Sequence, residues 1–522
     1  SHATMGKTNE YKDPKKGMVN DMPNVSPCPP PGEEISPDVL LRLLNRLQQT
    51  HIPLHSLHIL LHDRPQLEAY YAPCQKGQLH RMFSVSKNLT ALAVLKLCET
   101  DALSLDDPVC RYFPEYTNES THPWIRQTTL RHMLMMRSCH ASTTYKFDMT
   151  RDWVESFFTV APTHRPGTVF HYDTSASHTL CALVEKCTGQ PLLDYLREVM
   201  LEEMGWSRES YMLTDPFGHS LGGSGLMATA EDLVLLGRFL MQEGCWNGRQ
   251  LLRRDLIAQA LAWHSATAVT GPITGECQGY GYSFWQGEYD ARICYGMGGQ
   301  LILCYPAQGL LVVTTADTQG MNGGNQLLYD ALHQILLPEL KRPSSPAAES
   351  KIALQQAVAN LCLEPLAGVY ARGCAPGLRD ARPSSEGIPR PMSFLDPCTD
   401  GLRIRGKVYQ IRGSEAFSQV SLDLSPDTGV LHYTLKGIPC RLSFGLHEVI
   451  PDRFPICGMF CASSGMWLEE HSFYIRTHLL DTSVGSIHFQ FYFGEEDVTI
   501  YMKKQEESLF GEYSGHLYGT FA

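Results

Sequence analysis

"MFSVSKNLTALAVLKL", residues 82–97, decides how the rest of the chain is read. Ser84 stands three positions ahead of Lys87, at the start of an apolar helix carrying Leu89, Ala91, Leu92, Val94 and Leu95. Residues three apart on a helix share a face, so the Lys87 amine reaches the Ser84 hydroxyl. A serine hydroxyl is a poor nucleophile until a neighbour takes its proton, and burial lowers a lysine's pKa enough to make it that neighbour. S-x-x-K by itself is short and arises by chance, most often as a helix cap with a surface lysine. Its surroundings have to carry the reading.

The bulk composition narrows the choices. With 522 residues, 43% hydrophobic and 19% charged, the chain is an ordinary globular sequence of several domains. A net charge of -12 and the lack of a Lys/Arg cluster speak against nucleic-acid binding. No run of 18 apolar residues occurs, so no membrane-spanning helix is expected. The polar opening "SHATMGKTNEYKDPKKG" has no apolar signal-peptide core, and its first four residues look like an expression scar before Met5. Seventeen cysteines without a repeated spacing give no zinc pattern and read as reduced thiols. "NLT" at 88–90 falls on the serine helix, a poor place for a glycan. Together these favour the cytoplasm, with no metal or cofactor. His51, His55, His58 and His62 fall at helical spacing, but "HSLHILLHD" reads as a strand that puts His55 and His58 on opposite faces and breaks the stripe.

Four segments are expected. Residues 1–35, ending in "SPCPPPGEE", form a flexible lead-in. Residues 36–340 form a mixed α/β domain that opens on a helix capped by Ser36 and started by Pro37. Two strands around a turn at 63–65 follow, then mostly helix over 125–235, then an antiparallel meander ("ARICYGMG", "QLILCYP", "LLVVTTAD") and a closing helix at 325–338. Residues 341–362 are a linker and helix. From 363 to 522 short strands broken by Gly, Pro and Asp predict an all-β sandwich or barrel.

The order of several further motifs carries a resemblance. "FSVSKNLTALAVLKLCETDALSLDDPVCRYFPEY", "LRHMLMMRSCHAS", "RPGTVFHYDTSASHTLCALVEKCTGQPLLDYL", "GGSGLMATAEDLVLLGRFLMQEG" and "YGMGGQLILCYPAQGLLVVTTAD" follow one another over about 36–338. This succession resembles the serine β-lactamase and penicillin-binding superfamily, in its class C-like branch of esterases, D-peptidases and amidases. The resemblance implies a β-lactamase/transpeptidase-like antiparallel sheet flanked by helices, with a helical subdomain near 100–235. It also implies Ser84 as nucleophile, with Lys87 and Tyr172 as proton-transfer groups; a phenol held near a lysine is expected to be more acidic, since the cation stabilises phenolate. Met297, Gly298 and Gly299 fall where the family carries Lys-Thr-Gly or His-x-Gly, and the N–H groups of Gln300 and Ser84 are expected to form the oxyanion hole. Some relatives carry a lipocalin-like barrel after this domain, and "LAGVY" at 366–370 resembles its opening.

The chain departs from the family pattern at three places: Thr174 stands where an Asn is usual, Met297 where a cation or polar group is usual, and "RSCH" at 137–140 where Thr-Ser-Gly is usual. An uncharged thioether at Met297 disfavours a substrate carboxylate and favours a neutral acyl group. A serine hydrolase cleaving an ester or amide bond of a small molecule or peptide is therefore expected. A β-lactamase or D,D-peptidase, and an idle binding protein with the same fold, are the competing readings.

Overall fold

The computed structural model describes residues 34–271, 273–341, 348–366, 404–469 and 471–521. The Pro-rich lead-in and nearly all of "LAGVY" lie outside the described residues.

The first domain is organised by a six-stranded antiparallel sheet. Its strands run in the order Arg64–Tyr70, Leu54–Leu61, Leu310–Ala316, Gln300–Tyr305, Arg292–Gly296, Trp285–Gln286. Leu54–Leu61 and Leu310–Ala316 are buried at every position, because helices cover both faces of the sheet. On one face the helix Pro37–Gln49 packs Leu40, Leu43, Leu44 and Leu47 against Leu57, Ile59 and Val312. Pro37 starts this helix as expected, but Ser36 makes no side-chain capping bond.

The other face holds the helical subdomain and the serine helix, Val85–Glu99. That helix is buried on nearly every side, which explains why its apolar residues show no single stripe. It packs against Thr174–Thr188. Two of its polar side chains bond to loop carbonyls: Asn88 Nδ2 donates to the Ser283 carbonyl at 2.7 Å and Thr90 Oγ1 to the Gly222 carbonyl at 2.8 Å. The four histidines do not line up. His55 Nδ1 lies 2.8 Å from His80 Nε2, while His58 packs edge-on against Tyr70.

The second domain is an antiparallel β sheet of ten strands between Tyr409 and Phe521. A parallel bridge from Gly445 to Ser464 joins the strands Ile438–Gly445 and Phe460–Glu469 and closes the sheet into a barrel. Phe473, Ile475, Ile487, Phe489, Phe491, Ile500 and Met502 fill its interior, so the alternating aromatics of "SIHFQFYFGEEDVTIYMKK" are its inward-facing set.

The barrel docks beside the serine. Arg81, three residues before Ser84, donates from its backbone N–H to the Asp481 carbonyl at 3.2 Å and from Nη1 to the Thr482 carbonyl at 2.9 Å. Its Nε reaches back to the Ser224 carbonyl at 2.8 Å. On the far side Lys146 and Glu507 form an ion pair of 2.6 Å between the domains. No described helix is long and apolar enough to cross a membrane.

Candidate active site

The serine is presented by a strained turn. Phe83 sits at φ 44°, a left-handed conformation that bulky residues rarely adopt. Ser84 follows it as the residue capping the serine helix and is half-buried. Its backbone N–H has no acceptor among the described residues.

One turn on, the Lys87 side chain is buried, with 1% of its surface exposed. Its Nζ lies 2.9 Å from Ser84 Oγ and donates to the Gly223 carbonyl at 2.6 Å. Burial lowers its pKa from 10.5 to about 7, against the opposing charges of Asp173 and Glu507. A large fraction of the amine is therefore neutral at physiological pH and can accept the serine's proton.

Tyr172 closes the group. Its hydroxyl faces that of Ser84, which acts to lower its pKa, its ring centroid lies 4.8 Å from Lys87 Nζ, and it stacks on Trp285 at 5.7 Å and 24°. Burial pushes its pKa up, so the expected acidification does not occur. The reason is physical: a buried phenolate would lose its hydration, and an amine with a pKa of about 7 is charged only in part and does not offset that loss. Tyr172 is a neutral phenol, able to donate and accept but not to act as a standing base.

Thr174 does not replace an amide. It begins the helix Thr174–Thr188, and its methyl lies against Gly223, where a Cβ would come within 2.6 Å. The residue before it, Asp173, carries more of the local chemistry and was not singled out in the sequence. It is fully buried, caps that helix through Ser175 N at 2.9 Å, and accepts from Ser138 Oγ at 3.2 Å. Burial raises its pKa to about 6. The unusual "RSCH" loop thus supplies Ser138 to hold this carboxylate.

The opposite wall is the hairpin of Arg292–Gly296 and Gln300–Tyr305. Gly298 and Gly299, at φ 86° and 94°, make a turn closed to residues with a Cβ, and half-buried Met297 stands at its start. Gln300 is brought to the base of the turn rather than its tip. It is the ladder partner of Gly296, and its buried side-chain Nε2 donates to the Met297 and Ala316 carbonyls, both at 2.8 Å. The Met297 backbone N–H has no acceptor among the described residues.

Gly296 sets the distance between hairpin and serine. A Cβ there would lie 2.2 Å from the Met82 carbonyl oxygen, two residues before Ser84. Gly296→Ala is expected to destabilise the protein by about 1–3 kcal/mol and to lower turnover by more than that loss explains. Urea unfolding and turnover on the same preparation would check both.

Residues 42–337, more than half of the chain, match the family described as Beta-lactamase, and the chain belongs to that family. Among curated proteins it is 22% identical over 271 residues to the 6-aminohexanoate-dimer hydrolase of Paenarthrobacter ureafaciens, covering 48% of this chain and 65% of that one. It is 26% identical over 163 residues to the esterase EstB of Burkholderia gladioli, covering 28% and 41%. The chain thus spans less than two thirds of the length of these relatives. A solved 6-aminohexanoate-dimer hydrolase homologue from Bacillus anthracis superposes with a TM-score of 0.48 at 19% identity, over 56% of this chain and 81% of that one.

Proposed function

We propose that this chain is a serine hydrolase that cleaves an ester or amide bond through an acyl-enzyme on Ser84. One observation carries the reading: a buried lysine amine with a pKa near 7, 2.9 Å from a serine hydroxyl in a turn beside a glycine-rich hairpin. Ser84 Oγ attacks the carbonyl carbon as its proton passes to neutral Lys87. The carbonyl π electrons move to oxygen, giving a tetrahedral oxyanion. Lys87 returns the proton through the Tyr172 hydroxyl to the leaving alcohol or amine as the C–O or C–N bond breaks. Water then repeats the sequence on the acyl-serine, with Tyr172 and Lys87 taking its proton.

The oxyanion is held by the Ser84 N–H and a second amide from the 296–300 hairpin. Register with the family names Gln300 for that role. The free Met297 N–H, next to the glycine packed on Met82, is a second candidate in the same hairpin. Such a donor typically contributes about 3 kcal/mol to the transition state.

An uncharged Met297, together with Thr174 in place of an amide, supports a neutral acyl group over a free carboxylate. The names of the two curated relatives, a hydrolase of an aminohexanoate dimer and an esterase, support the same ester and amide range.

The test is the pH dependence of kcat/KM on p-nitrophenyl esters and anilides. Lys87 must be neutral to act, so activity should rise tenfold per pH unit below the lysine's pKa and level off above about 7. A profile that falls as pH rises through 7 would exclude Lys87 as the base.

A further inference from the structure

The outer face of the barrel meets the catalytic domain along the neighbouring strands Ser472–Leu480, Val484–Phe493 and Asp497–Gln505, and a cavity of about 340 Å³ remains between them. None of Ser84, Lys87, Tyr172 and Met297 lines it. Strand alternation turns every second residue of these strands toward it. The register makes Arg476, His488 and Lys503 direct cross-strand neighbours in one row.

Three basic side chains abreast form an unfavourable row, since like charges opposite one another repel. His488 avoids the conflict by staying neutral. Its ring nitrogens bond Tyr474 Oη at 2.6 Å and Ser486 Oγ at 2.8 Å, and burial with the adjacent Arg476 holds its pKa down at about 4. Arg476 and Lys503 remain as two cations flanking it, and Lys503 has no ion-pair partner among the described residues.

The next position along gives the second, independent observation. His478 lines the same cavity with 1% of its surface exposed, and neither ring nitrogen has a hydrogen-bond partner among the described residues. Buried polar groups are seldom left unpaired, and an exception facing a cavity is where a missing partner belongs. Across the cavity stands Asp317, which accepts from Gln319 N at 3.1 Å. Burial raises its carboxyl to about 7, so much of its charge is quenched at neutral pH. His51, the remaining titratable group on that wall, is paired with Glu364 at 2.7 Å.

We propose that this cavity is a second ligand site, separate from the serine cleft, for a small molecule bearing an oxyanion, carboxylate or phosphate, seated between Arg476 and Lys503 with His478 completing its hydrogen bonds. Hydrogen bonds to the two cations supply charge-assisted affinity for such an anion.

Thermal unfolding of the full chain, titrated with inorganic phosphate and separately with malonate at constant ionic strength, tests this. The expected result is a saturable rise in Tm with at least one anion. Phosphate alone would mark a phosphate ester site, malonate alone a carboxylate site, and both a shared oxyanion site. Lys503→Glu and His478→Phe should each weaken the half-saturation concentration at least tenfold, whereas Ser84→Ala should leave it unchanged. No saturable rise with either anion, a rise that survives Lys503→Glu, or one abolished by Ser84→Ala would overturn the proposal. Should His478→Phe fail to fold, Lys503→Glu decides, because that side chain is exposed.

Discussion

Replacing Ser84 with alanine is expected to lower turnover of activated esters by about 10⁴-fold or more, with thermal stability changed by no more than about 1 kcal/mol. The two effects separate because Ser84 is half-buried at the mouth of a turn whose shape is set elsewhere. Phe83 carries the strained backbone, Arg81 ties the preceding strand to Ser224 and Thr482, and Ser86 Oγ accepts from the Leu226 N–H at 2.9 Å. None of these needs the serine hydroxyl. Steady-state kinetics and urea unfolding of the two proteins give the comparison. Residual turnover within tenfold of the wild type would place the chemistry on another residue.

Lys87→Met is expected to move activity and stability in opposite directions. Turnover should fall by about 10³-fold or more, since the serine loses its proton acceptor. Stability at pH 7 should rise. The folded-state pKa of about 7 lies below the ordinary 10.5, so the folded protein binds fewer protons than the unfolded chain between those values. Stability therefore increases with pH across that window, and at pH 7 the lysine carries a deprotonation cost of about 4 kcal/mol. Methionine removes that cost but leaves the Gly223 carbonyl without its donor, so a net gain of about 1–3 kcal/mol is expected. Urea unfolding at pH 7 and pH 10 checks it: the wild type should gain more stability over this interval than the variant does. A variant less stable than the wild type at pH 7 would mean that Lys87 is charged in the folded state.

The sequence made the fold legible where pattern and period agree. The aromatic alternation of 484–505 carries the period of a strand, while the serine helix and the meander of 292–316 are apolar runs whose length and flanking turns select helix and strand, and each forms that structure. The serine and lysine were legible because their spacing brings them onto one helical face and the motifs that follow in order carry the resemblance. Other parts of the site depend on segments far apart in the chain. Gly223 holds Lys87 across 136 residues, and its only sequence signal is a pair of glycines in a loop. Asp173 caps a helix, but its burial beside Lys87 comes from the packing of two helices that sequence spacing does not relate. Tyr172 was expected to be acidified by a cation, because the sequence shows that a lysine is near but not that burial discharges it. Gln300 was read for its backbone N–H, and the turn's sequence does not show that its side chain bonds back to the Met297 and Ala316 carbonyls. The anionic reach of Glu507 toward the cleft comes from a second domain, and no local pattern announces it.

The most direct test of an activated Ser84 is intact-protein mass spectrometry after exposure to a fluorophosphonate at pH 8, followed by peptide mapping. A single phosphonyl adduct on Ser84, formed at least a hundredfold more slowly in Lys87→Met, is the predicted result. An adduct on another residue, or labelling of Ser84 at the same rate without Lys87, would contradict it.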